Sequence, residues 1–307
     1  MRILISGSTG LVGTALTSAL LERGHDVVSL VRPASGRGPQ NTSGQVTGIS
    51  WDPLTGALDP AADGADAVVN LAGASIAGGR WNEKRKALLR NSRISATNNL
   101  VGALKGLRRP PSIFLAASAI GFYGDRGDEE LEESSSPGND FLARLCVEWE
   151  AESNRAQTFG ARVATLRFGV ILARHGGALP QMALPFRFGI GGRVGSGQQW
   201  ISWVTLRDVV QTICFAVEND SFSGPANVVA PHPARNADFA VSLGRVLHRP
   251  AVFPTPAFAL RLALGEMADA LLLSSQRVTP ERLAHLGYRF ADPDLLPALR
   301  SVLEQSS

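Results

Sequence analysis

With 307 residues, 44% hydrophobic and 19% charged, the chain has the composition of a folded globular protein and is long enough for one large α/β domain plus a smaller lobe. A formal net charge of +3, with the basic residues spread and never five or six in a row, argues against nucleic acid as a partner. Two cysteines, Cys146 and Cys214, make no disulfide framework, and no apolar stretch reaches about 18 residues without charges, so the expectation is a cytoplasmic protein with no membrane partner.

Residues 2–6 form a short apolar strand, 11–22 carry apolar side chains at helical spacing, and 26–31 are again an apolar run, which predicts a βαβ unit. Further strands are expected at 46–50, 66–72 and 112–118, with a long helix over 82–105. A helix near 139–159 and a strand at 162–168 continue the alternation. Strands alternating with helices imply a parallel sheet with right-handed crossovers, a doubly wound α/β fold of the Rossmann type. From 176 to 197 glycines and prolines break the pattern into a loop that reads as a lid on the substrate side. A helix resumes at 205–218, and 254–304 is mostly helical. The division expected is a dinucleotide-binding domain over 1–170, with a returning strand and helix near 203–230, and a lid and small C-terminal substrate lobe over 171–202 and 231–307.

Gly7-Ser-Thr-Gly10-Leu-Val-Gly13 stands where the first strand turns into the first helix. Its glycines allow a tight turn, close approach of backbone amides to a pyrophosphate, and close packing of helix on strand, while the helix N-terminus offers the positive end of a dipole. Following a strand, opening a helix and trailed by a second strand, the motif reads as a dinucleotide site. Where NAD-binding folds place an acidic residue after the second strand, this chain has Arg32. A guanidinium suits a 2′-phosphate, so NADP(H) is the expected cofactor. Asn70-Leu-Ala-Gly73 adds a small-residue turn on the adenosine side.

With these motifs in view, the chain resembles the atypical extended short-chain dehydrogenase/reductases called epimerase family proteins, also labelled cell-division-inhibitor-like, over essentially its full length. The resemblance rests on Arg80-Trp-Asn, Ser92-Arg93, Ser118-Ala-Ile-Gly-Phe-Tyr123-Gly, Gly191-Gly-Arg-Val-Gly-Ser-Gly197, Ser202-Trp203 and Gly265-Glu-Met, among other pieces. It implies an NADP-binding Rossmann domain and a C-terminal substrate lobe ending in the family's helical domain. Motif and resemblance together place the cofactor against Gly7, Ser8, Thr9, Gly10, Leu11, Val12, Arg32, Leu71, Ala72, Gly73, Arg93, Ser118, Phe168 and Val170. Members usually carry a histidine shortly after the Ser-Trp pair. Here Val204-Thr205 follow, so no role of that histidine transfers.

Typical short-chain dehydrogenases set a Tyr and a Lys four residues apart on one helix face, the Lys favouring the tyrosinate that exchanges a proton with the substrate. That pair would fall on the helix containing 141–150, and it is absent. The only tyrosines are Tyr123 and Tyr288, and no lysine follows Lys105. What remains near the expected nicotinamide is Ser118, to hydrogen-bond a substrate oxygen, and Tyr123, to donate a proton. Each also reads as a loop residue satisfied by backbone groups. Arg187, Arg193 and Trp203 are the expected substrate contacts, since arginine forks hold phosphates or carboxylates and aromatic faces stack on sugars or bases. Trp203 reads equally well as core. The histidines are scattered, so no metal is expected. The function expected is an NADP(H)-binding epimerase or oxidoreductase acting on a nucleotide-sugar-like or other anionic small molecule, with a homodimer as one assembly. Its rival is a non-catalytic NADP(H)-binding sensor linked to cell division.

Overall fold

The structure, a computed structural model, describes residues 1–33 and 46–304, so the last three residues of the expected C-terminal lobe lie outside the described ones. Seven strands form one sheet: β1 Arg2–Ser6, β2 Asp26–Val31, β3 Thr47–Ser50, β4 Ala67–Asn70, β5 Ile113–Ala119, β6 Arg162–Phe168 and β7 Gly224–Val228. Their order is β7-β6-β5-β4-β1-β2-β3, with every neighbouring pair parallel. The principal helices are α1 Leu11–Glu22, α2 Glu83–Arg90, α3 Ala96–Lys105, α4 Phe141–Asn154, α5 Leu179–Arg187, α6 Leu206–Glu218, α7 Asn236–Leu247 and α8 Ala257–Leu264.

The strands are apolar on both faces because helices cover both faces. Ile3, Ile5, Val27 and Val69 point into one core with Leu16 and Leu20 of α1 and Val209 and Ile213 of α6. Leu4, Val28, Val68 and Phe114 point into the other, with Leu100 and Leu104 of α3. The chain winds outward in both directions from the β1/β4 pair. The crevice beyond the C-terminal ends of those two strands is therefore the place where such a sheet holds a ligand.

The helix expected over 82–105 is present, capped by Asn82, whose side chain accepts from the Arg85 amide at 2.8 Å. It is not continuous: a π-helical turn, Asn91–Ser95, joins α2 to α3 and turns Arg93 inward. Such turns are frequent at functional sites. One expectation is corrected. The stretch read as a loop from 176 to 197 contains α5, which begins with Pro180 in its first turn and tolerates Pro185 further on. A proline in the first turn removes an amide that has no partner in the helix anyway. The helix is held by burying Leu179 and Phe186 against Phe239 and Leu243 of α7 in the C-terminal lobe. Among the described residues no helix is long and apolar enough to cross a membrane.

The corner from β1 into α1 is the tightest packing in the sheet's ligand edge. A Cβ on Gly13 would lie 2.2 Å from the Gly7 carbonyl oxygen, whereas one on Gly102 of α3 would meet nothing within 4 Å. Gly13→Ala should therefore lower stability by about 1–3 kcal/mol through overpacking. Gly102→Ala should raise it by about 0.5–1 kcal/mol by removing glycine from a helix interior. Urea midpoints of the two variants moving in the same direction would contradict this reading of the corner.

Candidate functional site

The ends of β1 and β4 bring the two glycine-containing turns together. Ser6 pairs with Asn70 in register, and the Leu71 amide donates to the Ser6 carbonyl at 2.9 Å. Gly7 has φ +81°, and a Cβ there would sit 2.9 Å from the Leu71 carbonyl carbon, so a left-handed conformation and a close approach both demand glycine. Gly10 is the N-cap of α1 and has no side chain to satisfy the first-turn amides. The positive end of the helix is thus left for an anion. Gly7 to Val12 and Leu71 to Gly73 form one cradle at this edge.

Arg93 closes the cradle on one side. Its guanidinium carbon would lie 3.0 Å from a Cβ on Gly73, and it donates to the Ala74 carbonyl at 2.9 Å and the Leu89 carbonyl at 3.3 Å. The side chain is buried, lies over the Trp149 ring, and makes no ion pair with a carboxylate among the described residues. Burial pulls its pKa down to about 10, which leaves it charged at neutral pH. A buried cation without an anion is costly unless a ligand brings one. Arg32 stands exposed directly after β2, and Phe168 and Val170 are half-buried where β6 ends.

Further along the same edge the polar side chains are closed on one another. Ser118, near the end of β5, donates to Glu150 Oε1 at 2.6 Å. Arg167, paired in register with Ser118, grips the same carboxylate with Nε to Oε1 and Nη2 to Oε2, both at 2.8 Å. Arg167 Nη1 donates to the Tyr123 hydroxyl at 2.9 Å, and Tyr123 donates to Asn227 Oδ1 of β7 at 2.7 Å. Asn227 in turn reaches the Thr279 carbonyl through Nδ2, and its amide donates to Glu133 Oε1 at 2.9 Å. The Arg167 guanidinium also lies 3.5 Å over the Phe122 ring. Cys146 and Glu150 are four residues apart on α4, the spacing at which the usual Tyr and Lys stand, but both are buried. Burial raises the Cys146 thiol to about 12, so it is not a thiolate at neutral pH.

The expected site residues thus separate into groups. The cofactor residues from Gly7 to Val12, Leu71 to Gly73 and Arg93 are brought together. Tyr123 is displaced from the role expected of it: it is fully buried, its proton is committed to Asn227, and burial raises its pKa to about 12. Ser118 is present at its strand end but gives its proton to Glu150. Trp203 is corrected from substrate contact to core, since it is fully buried and its indole N–H is spent on the His232 carbonyl at 3.1 Å. Arg187 and Arg193 are exposed on the C-terminal lobe. A cavity of about 290 Å³ opens instead between Trp81 and Phe141, whose rings meet edge-on at 5.3 Å, and Asp125, Asp140, Asp269 and Ser274. Neither arginine lines it. Glu150, Arg167 and Asn227 are the functional-edge residues that the sequence reading passed over. The available signal was Arg167 within a strand whose neighbours Leu166 and Phe168 are apolar, a setting that requires a buried acceptor.

Two outcomes follow from this closure. Removing Arg167 strands a buried carboxylate, so Arg167→Met should destabilise by about 3–5 kcal/mol, and adding Glu150→Leu should recover most of that loss in a denaturant titration. The only two tyrosines, Tyr123 and Tyr288, are both shifted upward by burial, Tyr123 to about 12. An unfolded tyrosine ionises near about 10, so the protonated phenol of Tyr123 stabilises the fold fully below that pH and loses its contribution as pH climbs toward 12. A spectrophotometric titration should show no phenolate in the folded protein up to roughly pH 11. Ionisation of one tyrosine near its ordinary value would contradict the buried placement.

Comparison with known proteins fits this architecture. The sequence profile of the NAD dependent epimerase/dehydratase family matches residues 3–230, and that of a domain of unknown function, DUF1731, matches residues 255–302. The chain is 42% identical over 289 residues to epimerase family protein Mb2239 of Mycobacterium bovis, covering 94% of this chain and 93% of that protein. The crystal structure of human epimerase family protein SDR39U1 (isoform 2) with NADPH superposes with a TM-score of 0.90 at 35% identity, covering 100% of both chains. The Thermus thermophilus UDP-glucose 4-epimerase complex with NAD shares the fold, with a TM-score of 0.75 at 17% identity over 99% of this chain and 98% of that one. The chain belongs to the NAD dependent epimerase/dehydratase family, among the epimerase family proteins of the SDR39U1 type.

Proposed function

We propose that the chain is an NADP(H)-binding epimerase or oxidoreductase whose cofactor lies across the β1/β4 edge, with the pyrophosphate at the turn into α1. The observation that carries this reading is Arg93, a buried guanidinium without a carboxylate partner beside an uncapped helix N-terminus. A Cβ on Gly7 or Gly73 would press on the Leu71 backbone or on the Arg93 guanidinium, so glycine keeps these backbones close around the site. The human relative, similar over its whole length, is described with NADPH, which supports the same cofactor here. Arg32 after β2 is the residue to meet a 2′-phosphate. Leu71, Ala72 and Gly73 wall the adenosine side, and Phe168 and Val170 stand at the end of β6.

When bound, the nicotinamide supplies hydride exchange. The chain's own contribution is to bind and orient it, with Ser118 at the end of β5 as the hydroxyl to present to a substrate. The proton of Ser118 rests on Glu150, and Arg167 fixes that carboxylate in place. The cavity beside Trp81 and Phe141 is the substrate side of this reading. Its carboxylates suit the hydroxyls of a sugar, and Arg261, which also lines it, is paired with Asp269. The nucleotide-sugar expectation is therefore kept for its carbohydrate portion, which fits this cavity.

A second reading, an NADP(H)-binding sensor that catalyses nothing, is favoured by one observation: Ser118, Tyr123, Glu150 and Arg167 satisfy one another. Incubation of NADPH deuterated at C4, on one face or the other, with a panel of nucleoside-diphosphate keto sugars, whose carbonyl carbon can accept the hydride, separates the two. Deuterium arriving on a sugar from one face only, read by mass spectrometry, is the expected result. Tightly bound cofactor that keeps its label with every sugar would overturn the enzyme reading in favour of the sensor.

A further inference from the structure

Exposed large apolar side chains are concentrated on the C-terminal lobe. Phe188, Ile190, Val252, Phe253, Phe258 and Leu262 all lie there, and Phe188, Phe258 and Leu262 are 74%, 73% and 78% exposed. They stand on adjoining segments. The Phe253 amide donates to the Gly191 carbonyl at 3.1 Å and the Thr255 amide to the Arg193 carbonyl at 2.8 Å, with α8 starting two residues later. A Cβ on Gly192 would lie 2.2 Å from the Phe253 carbonyl oxygen, so the two segments run in close contact. α8 reads Ala-Phe-Ala-Leu-Arg-Leu-Ala-Leu, yet none of its residues is buried. A short helix of that composition ordinarily draws its stability from burying an apolar face.

The segments that carry these side chains are basic and free of acids. No Asp or Glu occurs between Glu152 and Asp208, or between Asp238 and Glu266. Arg187, Arg193, Arg245 and Arg249 are exposed and form no ion pair among the described residues. Arg245, His248 and Arg249 line an open groove of about 490 Å³ together with Val241 and Val252. Protruding phenylalanine and leucine interleaved with arginine is the chemistry of a surface that lies in the interface of a bilayer carrying negative lipids.

We propose that this face of the C-terminal lobe docks peripherally on an anionic phospholipid bilayer, its aromatic and aliphatic side chains entering the acyl boundary and its arginines meeting headgroup phosphates. Fluid lipid closes around protruding side chains without a matching rigid socket. A second copy brought onto the same face by two-fold symmetry would set the arginine group against itself. The expectation of no membrane partner came from the lack of a long apolar stretch. That lack bears only on a membrane-crossing helix, whereas this patch is assembled from segments distant in sequence.

Sedimentation of the full-length protein with vesicles tests the proposal. The protein should pellet with vesicles of phosphatidylglycerol mixed into phosphatidylcholine, should stay in solution with pure phosphatidylcholine, and should be released by salt. The variants Phe188→Asp with Phe258→Asp, and separately Arg245→Glu with Arg249→Glu, should each weaken anionic-vesicle binding by about tenfold or more while the circular dichroism spectrum is unchanged. No pelleting with anionic vesicles, or equal pelleting of wild type and both variants, overturns the proposal. So does a concentration-dependent dimer in light scattering that the same substitutions dissociate, since a second copy would then be the occupant.

Discussion

The bidentate pair between Arg167 and Glu150 is the interaction on which this edge of the molecule depends. It ties β6 to α4 under the end of β5, and through Tyr123 and Asn227 it reaches β7. Two charges withdrawn from water hold together only because their geometry is good and their remaining hydrogen-bonding capacity is filled by Ser118, Tyr123 and the Glu133 carbonyl.

The site therefore has two halves of different character. Under β1 and β4 there are glycines, an uncapped helix and a cation lacking an anion, an arrangement completed by a dinucleotide. Under β5 and β6 the polar groups are complete without any ligand. That division accounts for a protein whose cofactor half matches its family and whose acid–base half departs from the usual short-chain pattern.

The doubly wound sheet was legible because its signals are local: apolar runs of strand length, helical spacing, and glycines at one corner. The cradle was legible for the same reason, since Gly7, Gly10, Gly13 and Gly73 act through the backbone positions they occupy. Arg93 entered the expected site through the Ser-Arg pair of the resemblance, while its inward turn needed the π-helical break that no periodicity displays. What escaped was set by contacts far apart in sequence. Tyr123 read as a loop hydroxyl because Asn227, its acceptor, is 104 residues away. Trp203 read equally as ligand surface or core because nothing in its sequence neighbours shows the His232 carbonyl that receives its indole N–H. α5 was hidden by its prolines, one of which is harmless in a first turn, and the burial that holds the helix comes from α7.

The central claim is that the Arg93 cradle holds a phosphorylated dinucleotide, with Arg32 selecting the 2′-phosphate. Calorimetric titration of wild type, Arg93→Met and Arg32→Ala with NADPH and with NADH tests it most directly. NADPH should bind wild type more tightly than NADH, and Arg32→Ala should remove that preference. Arg93→Met should weaken both nucleotides by about thirtyfold, the effect of losing roughly 2 kcal/mol of charged hydrogen bonding. Failure of wild type to bind either nucleotide, or equal binding by wild type and Arg93→Met, would contradict it.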